Sequence, residues 1–391
     1  MNILLFHLMP YADLDLEATK AYPTVWTTLP NTFYDPKKGH ALYTRYIDEL
    51  ALGEPLGFDG VCVNEHHQTA YGMMPSPIVT AAALTQRTSK VKIAILGSAL
   101  PLRTHPLTVA EEHAMIDNIS GGRLISGFVR GIGAEYHTFG VNPTISHERF
   151  HEAHDLIVRA WTEPGPFEFF GKHYHFEYVN PWPRPYQQPH PPIWIPSQGS
   201  RETIEFAADP KHKYTYLQTF SPIKAVGRYL QMYRDVAQGM GYTSNPRQLG
   251  WASMVYVGET DDSALREAGP HFENFRNRFL KKPLEMLLPP GYSSRESMKA
   301  IALSKADITG AVDAKRAVDM GMFVCGSART VRETLIRYAK EIGFGNLLVM
   351  LQFGTLPAEL TRRNMQRFAE EVMPQVRRAS QEMHGEAALP L

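Results

Sequence analysis

Short aliphatic or β-branched runs alternate along the chain with longer segments in which apolar residues recur every three or four positions. The runs predict strands at residues 2–7, 60–64, 91–97, 124–129, 193–196, 214–218, 251–257 and 346–351. The longer segments predict helices near 39–56, 75–86, 108–119, 146–161, 201–208, 223–239, 331–342 and 360–378, many opened by Ser, Thr or Pro. Eight strand–helix units point to an α/β fold, a (β/α)8 TIM barrel, although an open doubly wound sheet shares the same local pattern. Two stretches break the rhythm. Residues 164–191 are rich in Pro, His and aromatics and predict an inserted hairpin and loop, whereas 262–321 predict helices without a strand between them. In a barrel such insertions serve at the C-terminal mouth as lid or pocket wall, or else as dimerisation surface. The expected organisation is one barrel domain over residues 1–380 and a tail at 381–391.

With 391 residues, 43% of them hydrophobic, the chain has the material for a large core. Its 40 basic residues balance 40 acidic ones, so no net field draws it to nucleic acid or an anionic membrane, and a small, uncharged or mixed substrate is favoured. The two cysteines, Cys62 and Cys325, lack the spacing of a metal or redox motif and read as buried free thiols in a reducing compartment. The first residues read as a strand rather than a signal peptide, and no apolar run approaches the roughly 18 residues that span a bilayer. A cytoplasmic protein is expected.

Candidate chemistry gathers in three places. Asn64-Glu65-His66-His67 follows the second strand, where barrel enzymes put their active sites; a histidine there moves protons near neutral pH, and a neighbouring carboxylate fixes its tautomer. A metal site is the rival reading, but His66 and His67, adjacent on extended chain, point to opposite faces. His173-Tyr174-His175 lies in the inserted stretch among aromatics, so no ligand set unites the two clusters and no metal is expected. Ser197-Gln198-Gly199-Ser200 precedes a helix, where converging backbone N–H groups can cradle a phosphate or merely cap. Finally, Gly127-Phe128-Val129-Arg130-Gly131 does not fit a dinucleotide fingerprint, and Ala134-Glu135-Tyr136-His137 does not read as the helix of one. Arg130 nevertheless offers a fixed cation at a strand end, while His105, Tyr136 and His137 read as loop packing.

Taken in order, Glu65-His66-His67, Ser120-Gly121-Gly122-Arg123-Leu124 leading through Val129-Arg130-Gly131, and Ser197-Gln198-Gly199-Ser200 resemble the bacterial luciferase-like flavin monooxygenases. The resemblance runs from Met1 to about Glu370 and includes Cys325-Gly326-Ser327-Ala328 before a late helix. It implies a homodimer that holds reduced FMN at the barrel mouth, supplied by a separate NAD(P)H-dependent flavin reductase, and uses it with dioxygen to oxygenate a small organic molecule. It further implies that Val129, Arg130, Gly199 and Ser200 hold the cofactor, Arg130 and Ser200 at its phosphate. Gly97 and Ser98 would meet the flavin ring, and His66 would be the active-site histidine, with Glu65 beside it and His67 as its fallback. Two alternatives stay open: a deazaflavin-dependent oxidoreductase of the same architecture, and a flavin-binding protein without catalysis. Light emission is not distinguishable from dark oxygenation on these residues.

Overall fold

The computed structural model describes residues 1–294, 298–299 and 310–384. Eleven strands occur among them: β1 (Asn2–Phe6), β2 (Gly60–Val63), β3 (Lys92–Ala99), β4 (Leu124–Val129), β5 (Phe167–Phe170), β6 (His175–Val179), β7 (Ile193–Ser197), β8 (Thr215–Thr219), β9 (Leu249–Gly258), β10 (Phe323–Ser327) and β11 (Asn346–Met350). Eight of them, β1, β2, β3, β4, β7, β8, β9 and β11, pair in that order and all in parallel. Pairing of Asn2 with Asn346 through Leu5 with Val349 brings β11 back to β1 and closes the barrel. The TIM barrel expected from the alternating pattern is therefore the fold, and the open sheet is excluded.

The strands read as continuous apolar runs because both of their faces are covered, one by the barrel interior and one by helices. Gly60-Val61-Cys62-Val63 and Asn346-Leu347-Leu348-Val349-Met350 are buried throughout. The helices that lead to the site are α1 (Pro36–Ala51), α2 (Pro77–Arg87), α3 (Leu107–Ile119), α4 (Gly133–Phe139), α5 (Ser146–Thr162), α6 (Arg201–Ala208), α7 (Ile223–Gly239) and α8 (Asp261–Asn274). Capping chemistry sets several starts: Asp35 accepts from Lys37 N at 2.8 Å ahead of α1, and Ser200 caps α6.

Two expectations need correction. β10 was not foreseen. It pairs with Met254–Gly258 of β9, beyond the Leu249–Ala252 stretch taken by β8, because the ten residues of β9 outrun its neighbours. The residues after Gly131 do form a helix, α4. The Glu135 side chain turns back to accept from Ile132 N at 2.8 Å, and Gly140 closes the far end in the left-handed region at φ 63°. So short a helix has no period to read. The inserted hairpin is present as β5 and β6, antiparallel. In the second insertion α8 is followed by further short helices, Leu284–Leu287 and Ala314–Asp319 among them, while 295–297 and 300–309, like 385–391 of the tail, lie outside the described residues. No helix of the described residues is long and apolar enough to cross a membrane, and both cysteines are buried free thiols.

Candidate active site

The C-terminal ends of the strands surround a cavity with about 1300 Å³ of empty space, counted out to its open mouth. Phe6, Asn64, Leu96, Gly97, Phe128, Ile195 and Leu217 come from strand ends, and Leu287, Leu288, Tyr292 and Ser293 of the second insertion form the outer wall. Of the residues singled out in the sequence, Glu65, His66, Gly97, Val129, Arg130, Gly199 and Ser200 line it. His67 and Ser98 do not face it.

At one side stands His66. Its Nδ1 lies 2.8 Å from Oε1 of Glu135, and the buried carboxylate fixes a donating Nδ1–H, while Nε2 makes no hydrogen bond among the described residues. Trp26 and Tyr71 hold the imidazole edge-on, with ring centres 5.2 and 5.1 Å away. This leaves a proton-transfer atom presented to the cavity and backed by a carboxylate. Glu65 is engaged elsewhere: its oxygens meet His67 Nε2 at 2.9 Å and Arg103 Nη2 at 2.5 Å, so it forms an ion-paired bracket rather than a free base. His67 serves that bracket and packs on Phe139. Among the described residues no group of three or more His, Cys, Asp or Glu is arranged to hold a metal.

Gly97 and Ser98 separate for the reason that separates any two neighbours on a strand: their side-chain directions are opposite. A Cβ on Gly97 would come within 2.6 Å of the Gly127 backbone, so bare backbone forms the cavity floor there, and the Leu96–Gly97 peptide is cis. Ser98 instead points behind the wall, where Oγ lies 3.1 Å from His113 Nε2, and His113 Nδ1 lies 2.9 Å from Ser126 Oγ. Burial, with Arg103 adding to it, pushes the His113 imidazole down to about 3 from its ordinary 6.5. Between those values the unfolded chain takes up a proton that the folded chain refuses, so this group's contribution is intact above pH 6.5 and declines as pH falls toward 3. Buried His7 and His154 shift the same way. The melting temperature of the protein is expected to drop on acidification from pH 6.5 to 4, and His113→Gln to make that drop shallower. An unchanged slope would remove His113 from the acid response.

Arg130 brings a fixed cation to the same cavity. Arg130 Nη1 donates to the Tyr292 carbonyl at 2.8 Å and to Ser146 Oγ at 3.2 Å, and its guanidinium lies 4.2 Å over the Tyr292 ring. His147 and His151, one turn apart at the start of α5, face the same space; burial and then Arg130 hold His147 down at about 4, and burial lowers His151 too. Gly199 (φ 105°) and Ser200 precede α6, and among the described residues their N–H groups meet only Ser197 Oγ, at 3.2 and 3.4 Å. A Cβ on Gly199 would lie 2.2 Å from the Tyr229 ring, so only glycine fits this turn. A guanidinium, weakly engaged N–H groups and a helix N-terminus suit a phosphate. One group opposes it: Glu202 accepts from Ser200 Oγ at 2.6 Å and competes for that hydroxyl.

These features in one barrel mouth, a phosphate-ready corner and a carboxylate-backed histidine, are joined by a sequence match. The profile of the luciferase-like monooxygenases covers residues 27–344. The chain belongs to that family. Among luciferase-like relatives, the oxygenase component of the flavin-dependent trigonelline monooxygenase of Acinetobacter baylyi is 30% identical over 176 residues, 44% of this chain and 48% of that protein. The oxygenating constituent of 3,6-diketocamphane monooxygenase from Pseudomonas putida, solved with FMN, superposes with a TM-score of 0.74 at 19% identity, covering 96% of this chain and 98% of that one. An F420-dependent secondary alcohol dehydrogenase superposes with a TM-score of 0.65 at 16% identity, covering 96% and 98%. At these identities the two structures speak for the luciferase-like fold alone.

Reading the sequence missed Glu135, His147, His151 and Tyr292, and gave Asn64, the first residue of the Asn64–His67 run, no role of its own. A signal existed for His147 and His151, whose spacing of four puts them on one helix face. Glu135 reaches His66 from 69 positions away through a helix that had not been read. His105, Tyr136 and His137 are absent from the lining, in keeping with packing roles; Tyr136 Oη donates to the Arg130 carbonyl.

Proposed function

We propose that this chain is the oxygenase component of a two-component flavin monooxygenase, working as a homodimer on a small organic substrate with reduced FMN from a separate NAD(P)H-dependent reductase. The observation that carries the reading is one cavity lined by Arg130, Ser200, Gly97 and the His66–Glu135 pair. Arg130 and the N–H groups of Gly199 and Ser200 would hold the phosphate, and Gly97 in the same lining would meet the ring. Bound reduced flavin would supply the electrons that activate dioxygen. The protein's share is to exclude water with Phe6, Phe128, Ile195, Leu287 and Leu288, and to move a proton at His66 Nε2 while Glu135 holds the ring. A relative named as an oxygenase component supports a separate electron donor.

The F420-dependent neighbour supports a second reading, hydride transfer with a deazaflavin, because a carboxylate-backed histidine suits that chemistry too. Anaerobic titration with reduced FMN and, separately, with a reduced deazaflavin distinguishes the two. Monooxygenation predicts binding of reduced FMN and oxygen uptake when air is admitted. Binding of the deazaflavin alone would transfer the assignment to hydride chemistry.

A further inference from the structure

Buried polar groups are paired almost without exception, so an unpaired one facing a cavity marks a place where a ligand completes the bonding. Among the described residues, only Asn64 and Ser293 combine a buried, partnerless side-chain atom with a place in the cavity lining. Ser293 sits at the outer wall beside Tyr292. Asn64 sits at the inner end, directly after β2, with Phe6, His66, Leu96 and Gly97 around the same space. The residue is 5% exposed, its Oδ1 has no donor, and neither end of its carboxamide hydrogen-bonds within the described residues. Turning the amide over exchanges the orphaned oxygen for an orphaned N–H, so the deficit does not depend on which way it is drawn.

We infer that Asn64 reads the imide edge of the bound cofactor's ring system. A carboxamide offers a donor and an acceptor side by side, the complement of an N–H flanked by carbonyls, and that edge is shared by flavins and deazaflavins. The inference rests on the proposed cofactor binding. With the phosphate held near Arg130 and Ser200, the ring of the cofactor would reach Asn64, which lines the same cavity as Gly97 and awaits a partner.

The test compares dithionite-reduced FMN with reduced 3-methyl-FMN, in which a methyl group replaces the imide hydrogen. Wild-type protein is expected to bind FMN about tenfold more tightly than the methylated form, the worth of one or two net hydrogen bonds. Asn64→Leu is expected to lose about tenfold in FMN affinity and to bind the two ligands equally. Ligand-free, the leucine variant should melt at or above the wild-type temperature, since an unpaired polar group has been removed; a structural asparagine would lower it. Equal binding of both ligands by wild-type protein, or unchanged FMN affinity in the variant, overturns the role of Asn64. Failure of wild-type protein to bind FMN at all overturns the cofactor reading, and this inference with it.

Discussion

Replacing His66 by Ala is expected to lower substrate-coupled oxygen consumption by about 10²–10⁴-fold, the usual contribution of a positioned proton-transfer group, while reduced-FMN affinity changes by less than about threefold. His66 makes no hydrogen bond to Arg130, Gly199 or Ser200, so its removal touches proton movement rather than phosphate binding. Glu135→Gln is the sharper companion. Its amide oxygen can still accept from Ile132 N and keep α4 capped, yet it removes the charge that fixes the Nδ1–H of His66. A loss of about tenfold in coupled turnover, with uncoupled peroxide release in its place and no change in melting temperature, would mark Glu135 as a positioning residue. Full coupled rates in both variants would remove the pair from the mechanism. Measurement of oxygen uptake beside product yield separates these outcomes.

Arg130→Ala is expected to weaken reduced-FMN binding by about 1.5–3 kcal/mol, the worth of a hydrogen bond to a charged group, or roughly ten- to a hundredfold in Kd. Riboflavin, which lacks the phosphate, should bind the variant and the wild-type protein alike. That contrast matters because Arg130 also supports the Tyr292 carbonyl and ring, and loss of that support alone would weaken both ligands equally. Equal loss for FMN and riboflavin would therefore assign Arg130 to the wall and not to the phosphate.

How much of this was legible in the sequence follows the range of the interactions involved. The eight barrel strands stood out because burial on both faces forces a continuous apolar run, and that constraint is local. β10 pairs only with the overhanging half of a neighbour, so nothing within Phe323–Ser327 announces where it belongs. His66, Arg130 and Gly199 were legible because strand ends and strand-to-helix turns are where a barrel exposes chemistry. Ser98 was placed with Gly97 although strand alternation sends the two to opposite sides. Glu135 and Asn64 owe their importance to partners, or to a missing partner, that only the folded arrangement reveals.

Gly97 and Gly127 face each other so closely that a methyl on the first would strike the backbone of the second, and one on the second would lie 2.1 Å from the Ile95 carbonyl oxygen. A single substitution at either therefore meets main chain that cannot swing aside. The glycine pair is a mutational dead end, whereas Leu287, Leu288 and Ser293 at the mouth answer to no such constraint. Descent with altered substrate preference therefore runs through the rim, and libraries meant to redirect this barrel belong there.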